Sequence, residues 1–356
     1  MDYKKYLHKL LTDTVNAGAS DLHINVGIKP HVRVDGELAA IKDEAEVNAE
    51  TASGIAEALF SEEQKEKFYG QKELDFSYSH EAGVRFRINT YFQKGHVSMA
   101  ARLIPAKVDS IDALELPPIL HDFAKLTQGF VLIVGPAGHG KSTTLAAILD
   151  EINRTRAEHI VTIEDPIEYL FDPDKAVISQ REVNTDTVGF HRALKSVLRQ
   201  DPDVVMIGEM RDVESISTAM TAAETGHLVL STLHTNSAAQ TIDRIIDTFP
   251  PEKQSQAASQ LAATLVAVVS KRLIPKIGGG RVPACEVMLV NSAVRNLIRE
   301  KKTHQIDLVI ETNLKSGMVT LNRSLAQLVK AKKITLESAE LNSLNPGELK
   351  LLVDKI

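Results

Sequence analysis

Apolar residues recur along the chain with two different periods, and the switches between them mark out its elements. Tyr3, Tyr6, Leu7, Leu10, Leu11 and Val15 fall at helical spacing and Gly18 follows as a stop, so the chain is predicted to open on a helix. Leu22, Ile24 and Val26 then alternate with polar residues, as do Val32 and Val34 ahead of the hairpin signal Asp35-Gly36. Helical spacing returns over 51–59 and 62–69. Alternation follows at Phe76 and Tyr78, at Val84, Phe86 and Ile88, and at Val97, Met99, Ala101 and Leu103. Residues 1–104 therefore read as a small α+β domain.

The stretch 105–118 carries Pro105, Pro117 and Pro118 with weak periodicity, the composition of a connector and a candidate hinge. Beyond it, short apolar runs at 130–134, 160–163, 204–207 and 228–230 alternate with helical patterns at 142–153, 190–200 and 213–225. That order predicts an α/β domain over 119–356, with a mostly parallel sheet and crossover helices. Gly278, Gly279 and Gly280 read as a loop, and the remainder of the chain as largely helical.

Composition narrows the classes of function. With 356 residues the chain fits two domains, and its 43% hydrophobic and 25% charged residues are those of a water-soluble globular protein. A net charge of -6 has the wrong sign for a partner recognised through a nucleic-acid backbone, and an aromatic share of 4% argues against base stacking. The one cysteine, Cys285, excludes an internal disulfide and a multi-cysteine zinc site. No signal-peptide core opens the chain, and the longest apolar run, 261–269, falls well short of the ~20 residues that span a bilayer. The expectation is a cytoplasmic protein without direct membrane insertion.

Gly135, Pro136, Ala137, Gly138, His139, Gly140, Lys141 and Ser142 form a Gly-x4-Gly-Lys-Ser run with an apolar strand before it and a helical pattern after it. Glycines let backbone N–H groups converge on an anion, the helix adds its positive end, Lys141 can reach terminal phosphates and Ser142 can hold Mg²⁺. The strand context separates this run from a chance match and points to a bound nucleoside triphosphate. Such a loop needs acidic groups opposite it, and two predicted strands end in them: 160–163 in Glu164, and 204–207 in Gly208-Glu209. In a parallel sheet both lie at the carboxyl edge where ligands bind, although strand-end carboxylates also serve as helix caps or stay in solvated loops. His227 and His234 bracket the strand between them and are too far apart in an extended chain to share a metal.

In the first domain Arg85 and Arg87 share one face of their strand, opposite Phe86 and Ile88, and Arg102 projects likewise from the strand after Val97. Paired, these strands would present three guanidinium groups suited to phosphate oxygens; a solvated strand face would look the same.

These motifs together resemble the secretion ATPases of type II and type IV systems. Residues 135–143, through Thr143, resemble the family's Walker A, departing at Ala137 and His139, where Thr and Ser are usual. Residues 160–169 resemble its Asp box, which implies Glu164 as the base that activates water. Residues 203–212 resemble its Walker B, which implies Glu209 near Mg²⁺. Residues 226–236 resemble its His box, with His227 and His234.

Ala293-Val-Arg-Asn-Leu-Ile-Arg-Glu300 resembles the motif of the retraction branch, with Val294 as the one change, and the lone cysteine rules out the four-cysteine zinc motif of extension ATPases. The resemblance covers essentially the whole chain. It implies a PAS-like N-terminal domain, a RecA-like ATPase domain with C-terminal helices, and ATP with Mg²⁺ as ligands. It further implies a homohexamer at the inner face of the cytoplasmic membrane, a platform protein of the pilus machinery as partner, and Arg87, Arg102 and Arg85 reaching the nucleotide. A pilus-assembly or type II secretion ATPase, a nucleic-acid-translocating ring and a non-hydrolysing switch are the alternatives.

Overall fold

The first helix, α1 (Tyr3–Asn16), forms because its apolar stripe can be buried whole: Leu7, Leu10 and Leu11 are fully enclosed, and Asp2 caps the amino end by accepting from Lys5 N at 3.0 Å. It belongs to the first of two compact units, residues 1–107 with 168–170; the second comprises the rest. The computed structural model describes every residue except Asp35, 81–83, 105–107, Arg211 and Ile356. The predicted hairpin turn at Asp35 and the hinge at Pro105 thus fall in part outside the described residues.

The first unit continues as β1 (Asp21–Ile24), β2 (His31–Val34), β3 (Glu37–Ala40), α2 (Ala49–Glu57), α3 (Glu62–Gln71), β4 (Glu73–Ser79), β5 (Arg85–Gln93) and β6 (His96–Ile104). Its six strands pair antiparallel in the order β3-β2-β1-β6-β5-β4. Lys94 and Gly95, both at positive φ, close the tight turn between Gln93 and His96. The alternation read from the sequence is the pleat itself: Phe86, Ile88, Met99 and Ala101 face the core with Leu7, Leu10 and Phe68.

The second unit holds α4 (Leu120–Phe123), β7 (Gly129–Val134), α5 (Lys141–Thr155), β8 (His159–Glu164), β9 (Val177–Glu182), α6 (Phe190–Val197), β10 (Val204–Ile207), α7 (Val213–Glu224), β11 (Leu228–Leu233), α8 (Ala238–Thr248), α9 (Gln254–Thr264), β12 (Leu265–Pro275), β13 (Arg281–Leu289), α10 (Ser292–Arg299), α11 (Ile306–Thr312), α12 (Leu321–Lys330), α13 (Leu336–Asn342) and α14 (Pro346–Lys355). Its sheet runs β13-β12-β7-β11-β10-β8-β9, parallel except for β13. Every residue of β7, β10 and β11 is buried, as parallel strands covered on both faces require.

Two readings from the sequence need correction. Residues 281–289, within the remainder read as largely helical, are a strand: β12 and β13 form a long hairpin around the Gly278–Gly280 loop, and the apolar run 261–269 is split between the end of α9 and β12. A continuous apolar run is compatible with either a buried helix or a buried strand, and periodicity alone could not choose. The connector stretch also packs from its fourth residue onward, since Val108, Ile111 and Leu116 are buried within the second unit.

The loop leaving β7 is fixed by closeness to β12. Gly135 has φ 144°, and a Cβ there would sit 2.3 Å from the Lys271 carbonyl oxygen. Gly138 and Gly140 also lie at positive φ, 76° and 75°. Gly135→Ala should therefore force the loop away from β12 and destabilise the second unit by about 1–3 kcal/mol, read as a lower thermal midpoint of the nucleotide-free protein.

Candidate active site

Parallel pairing in register places the carboxyl ends of four strands along one edge. Val134 of β7 pairs with Leu233 of β11; Ser231 of β11 pairs with Ile207 of β10, and Ile207 with Ile163 of β8. The residues that follow are the glycine loop, His234, Gly208-Glu209 and Glu164, all read from the sequence as site residues. One edge gathers them.

The loop from Gly135 through Pro136, Ala137, Gly138 and His139 to Gly140 ends at the amino terminus of α5, whose first residues are Lys141, Ser142 and Thr143. Buried Lys141 folds back over the loop, donating to the carbonyls of Gly135 at 2.9 Å and Pro136 at 3.0 Å. His139 is built into the scaffold: its Nδ1 accepts from Leu273 N of β12 at 2.9 Å. Burial first, then the cations of Arg272, Lys141, Arg281 and Lys271, hold the His139 imidazole below its ordinary pKa, so it is neutral at pH 7.

Glu164, the last residue of β8, is buried, and its Oε1 accepts from Thr162 Oγ1 at 2.6 Å and Gln180 Nε2 at 3.2 Å. Two donors on one oxygen fix the carboxylate plane. Glu209 is half-buried, and its Oε2 lies 3.6 Å from His234 Nε2. The other ring nitrogen of His234, Nδ1, is 3.4 Å from Lys141 Nζ. An ammonium offers only protons, so Nδ1 is assigned as acceptor and Nε2–H as the group turned to Glu209. His234 thus links the loop lysine to the strand-end carboxylate. Glu209 and His234 also line a cavity of about 670 Å³ with Asp243, Arg244 and Asp247, which the loop does not enter.

His227 is not part of this constellation. It sits before the amino end of β11, its ring nitrogen Nδ1 2.9 Å from the Ala222 carbonyl and 3.2 Å from Thr225 Oγ1. A six-residue strand separates the two histidines by roughly 20 Å, so they occupy opposite edges of the sheet.

A buried lysine that the motifs do not contain also reaches the loop. Lys271 of β12 is 2% exposed and donates to the Gly140 carbonyl at 3.2 Å and Thr144 Oγ1 at 2.9 Å. Nothing in the run Ser270-Lys271-Arg272 distinguishes it from a solvated strand residue; only the pairing of β12 beside β7 reveals it.

In the first unit the arginines of β5 and β6 lie as the alternation predicts. Arg87 pairs directly with Arg102 across the strands, and Arg85 pairs with Ile104. Like charges in register repel, and acidic neighbours compensate. Arg102 Nε donates to Asp21 Oδ1 at 2.8 Å, and Arg87 Nε lies 4.0 Å from Asp75 Oδ1. Burial works against ionising Asp21, but hydrogen bonds from Ser20 and Arg102 outweigh it and hold the carboxyl below its usual range.

The retraction-type motif forms α10. Asn291 caps it by accepting from Val294 N at 3.0 Å; Val294 and Ile298 are buried, and Arg295 and Arg299 are exposed. Leu297 packs at the edge of the same core. The helix therefore presents two arginines one turn apart on its outer side.

Comparison with known proteins agrees with this geometry. The type II/IV secretion system protein family model matches residues 2–340. The chain is 44% identical over 335 residues to the type IV pilus retractation ATPase PilT of Pseudomonas aeruginosa, spanning 93% of this chain and 96% of that protein. It is 43% identical over 317 residues to a twitching motility protein of Neisseria gonorrhoeae, spanning 89% and 84%. Among solved structures, the pilus retraction motor PilT with bound ADP matches with a TM-score of 0.91 at 43% identity, over 97% of this chain and 98% of that one. The Legionella pneumophila ATPase DotB matches at 0.79 and 25% identity, over 94% of each chain. Loop, strand-end carboxylates, α10 and these likenesses lead to one conclusion: the chain belongs to the type II/IV secretion system protein family.

Proposed function

We propose that this chain is the ATP-hydrolysing motor subunit that powers retraction of a type IV pilus. The observation that carries the reading is the convergence of the glycine loop, Lys141, Glu164 and Glu209 on one sheet edge, in a chain whose relatives include a named retraction ATPase. The α10 motif supports the retraction branch over pilus-assembly and type II secretion ATPases.

The loop amides and the α5 amino terminus bind the polyphosphate, with Lys141 released from the Gly135 and Pro136 carbonyls toward the terminal phosphate. Glu164 holds and deprotonates the attacking water, its orientation set by Thr162 and Gln180. His234 reports the state of the phosphates to Glu209, because it touches both Lys141 and that carboxylate. Ser142 and Glu209 suit Mg²⁺, a hard cation that takes one or two protein oxygens and completes its shell with phosphate and water. Among the described residues no group of three or more His, Cys, Asp or Glu forms a metal site by itself, which fits a metal that arrives with the nucleotide. Bound there, Mg²⁺ would neutralise phosphate charge.

The motor is a homohexamer in which Arg87 and Arg102, with Arg85, act on the nucleotide of a neighbouring copy. The ring works on a platform protein of the pilus machinery, at the cytoplasmic face of the inner membrane. Among the described residues no helix is long and apolar enough to cross a membrane. A cell lacking the gene should remain piliated and lose twitching; unimpaired twitching would overturn the retraction role.

Glu164→Gln should bind ATP with near-normal affinity and lose turnover by about 10²–10⁴-fold, the usual loss of a general base, in a phosphate-release assay. Turnover close to that of the unmodified protein would remove Glu164 from the role. Arg87→Ala should also be slow. Mixed in one ring with Glu164→Gln, it should recover part of the activity, because an intact Arg87 then serves a site with an intact Glu164. Mixed rings no more active than either variant alone would place Arg87 in its own subunit's site or outside catalysis.

A further inference from the structure

We propose that Lys271 is a positioning residue for nucleotide binding, its buried ammonium holding the Gly140 carbonyl and the Thr144 hydroxyl so that the loop and the first turn of α5 keep their anion-binding shape. This rests on the ATP-site reading above. Three contacts join β12 to the loop. The Lys271 carbonyl abuts Gly135, Leu273 N donates to His139, and Lys271 Nζ reaches under Gly140. The Gly140 carbonyl also accepts from Thr144 N at 3.1 Å and Thr144 Oγ1 at 3.0 Å, so the ammonium closes a three-membered cluster at the helix start.

The arrangement is costly without an anion. An ammonium in a protein interior loses most of its hydration, and among the described residues its hydrogen-bond partners here are two neutral oxygens. Burial accordingly lowers the Lys271 pKa to about 8. The missing counter-charge is what a polyphosphate on the other side of the loop supplies. Lys271 thus adds a second fixed cation to Lys141 without facing the solvent.

The groups around Lys271 leave its titration readable. Arg281 and Cys285 act on it from β13, and His139 and Lys141 lie across the loop. Burial pushes the Cys285 thiol up to about 12, and His139 sits below its ordinary value, so neither changes charge between pH 7 and 9. Strand β7 carries no ionisable side chain. The acidic residues of α8 and α13, Asp243, Asp247, Glu337 and Glu340, belong to helices that pack on the face bearing Arg272, which donates to the Asn342 carbonyl; Glu286 of β13, raised by burial to about 7, accepts from Ala238 N on that same face, so its own titration is centred below the Lys271 step. Alternation puts Lys271 on the other face.

The sign follows: Lys271 is charged below pH 8 and neutral above it, so affinity for nucleotide should fall as pH rises through that value. The test measures Mg-ADP affinity by calorimetry on the full chain at pH 7.0 to 9.5, with steady-state ATP turnover and a thermal melt for each variant. Lys271→Met should melt as a folded protein, bind ADP about tenfold more weakly, and keep kcat at saturating ATP within about twofold, because the residue does not touch the reacting atoms. Unmodified protein should lose affinity several-fold between pH 7.5 and 9, and Lys271→Gln should be flat over that range. Unchanged affinity in a folded Lys271→Met, or a pH step that survives in Lys271→Gln, would overturn the assignment; should Lys271→Met not fold, the Lys271→Gln profile decides. Unmodified protein that binds no ADP would instead overturn the ATP-site reading itself.

Discussion

Parallel strand pairing is the constraint on which the rest depends. Residues chosen by the register of β7, β11, β10 and β8 arrive at one edge without any contact between their side chains being needed to bring them there. Val134 opposite Leu233 and Ile207 opposite Ile163 and Ser231 are backbone facts, fixed by ladders inside a core of fully buried apolar residues. A slip of one residue in any of these strands would exchange its side chains between two packed faces, and fitting mismatched volumes into each costs about 1–3 kcal/mol per site. The core that stabilises the second unit is thus also what aligns its chemistry.

Much of that chemistry is legible in sequence because it sits at strand ends, where a change from apolar to polar marks the boundary. Glu164 and Glu209 were visible for this reason, as were the glycines whose φ values the loop requires. Helices α1 and α10 were equally plain, since Leu7, Leu10 and Leu11, or Val294 and Ile298, repeat at helical spacing and are buried at that spacing. What stayed hidden is what β12 contributes. Its first half is a continuous apolar run with no period to read, and Lys271 looks like any lysine until a neighbouring strand covers it. Strand β9 was hidden for a related reason: Val177-Ile-Ser-Gln-Arg-Glu182 is an edge strand, mostly half-exposed, and its one apolar pair leads into polar residues. The two histidines show a limit of another kind. Similarity to a motif treats His227 and His234 alike, whereas the extension of β11 sets them at opposite edges.

Cations crowd the loop. Lys141, Lys271, Arg272 and Arg281 all act on His139, and burial plus their charge keeps that ring neutral. A neutral His139 can accept the Leu273 N–H, which a protonated ring could not do at Nδ1. Burial first, and then the positive potential that makes the loop attractive to phosphate, sustain the hydrogen bond anchoring the loop to β12. Binding strength and loop rigidity share that potential as one contributor.

The arginines of the first unit follow a different logic, one of weak restraint. Arg87 and Arg102 face each other in register, and each has an acidic neighbour, so the four charges cancel. The Arg102 side chain is 71% exposed while that of Asp21 is only 10% exposed, so the pair is open to water at its guanidinium end alone. A phosphate group in a drier site offers the same guanidinium paired, charge-assisted hydrogen bonds, roughly twice as strong as neutral ones. Asp21, held ionised by Ser20 and Arg102, gives the arginine a defined resting place between encounters. On the shared-site proposal the exposed guanidinium is ordered enough to be delivered to a phosphate, while Ser20 and Arg33 stay beside the buried carboxylate it leaves.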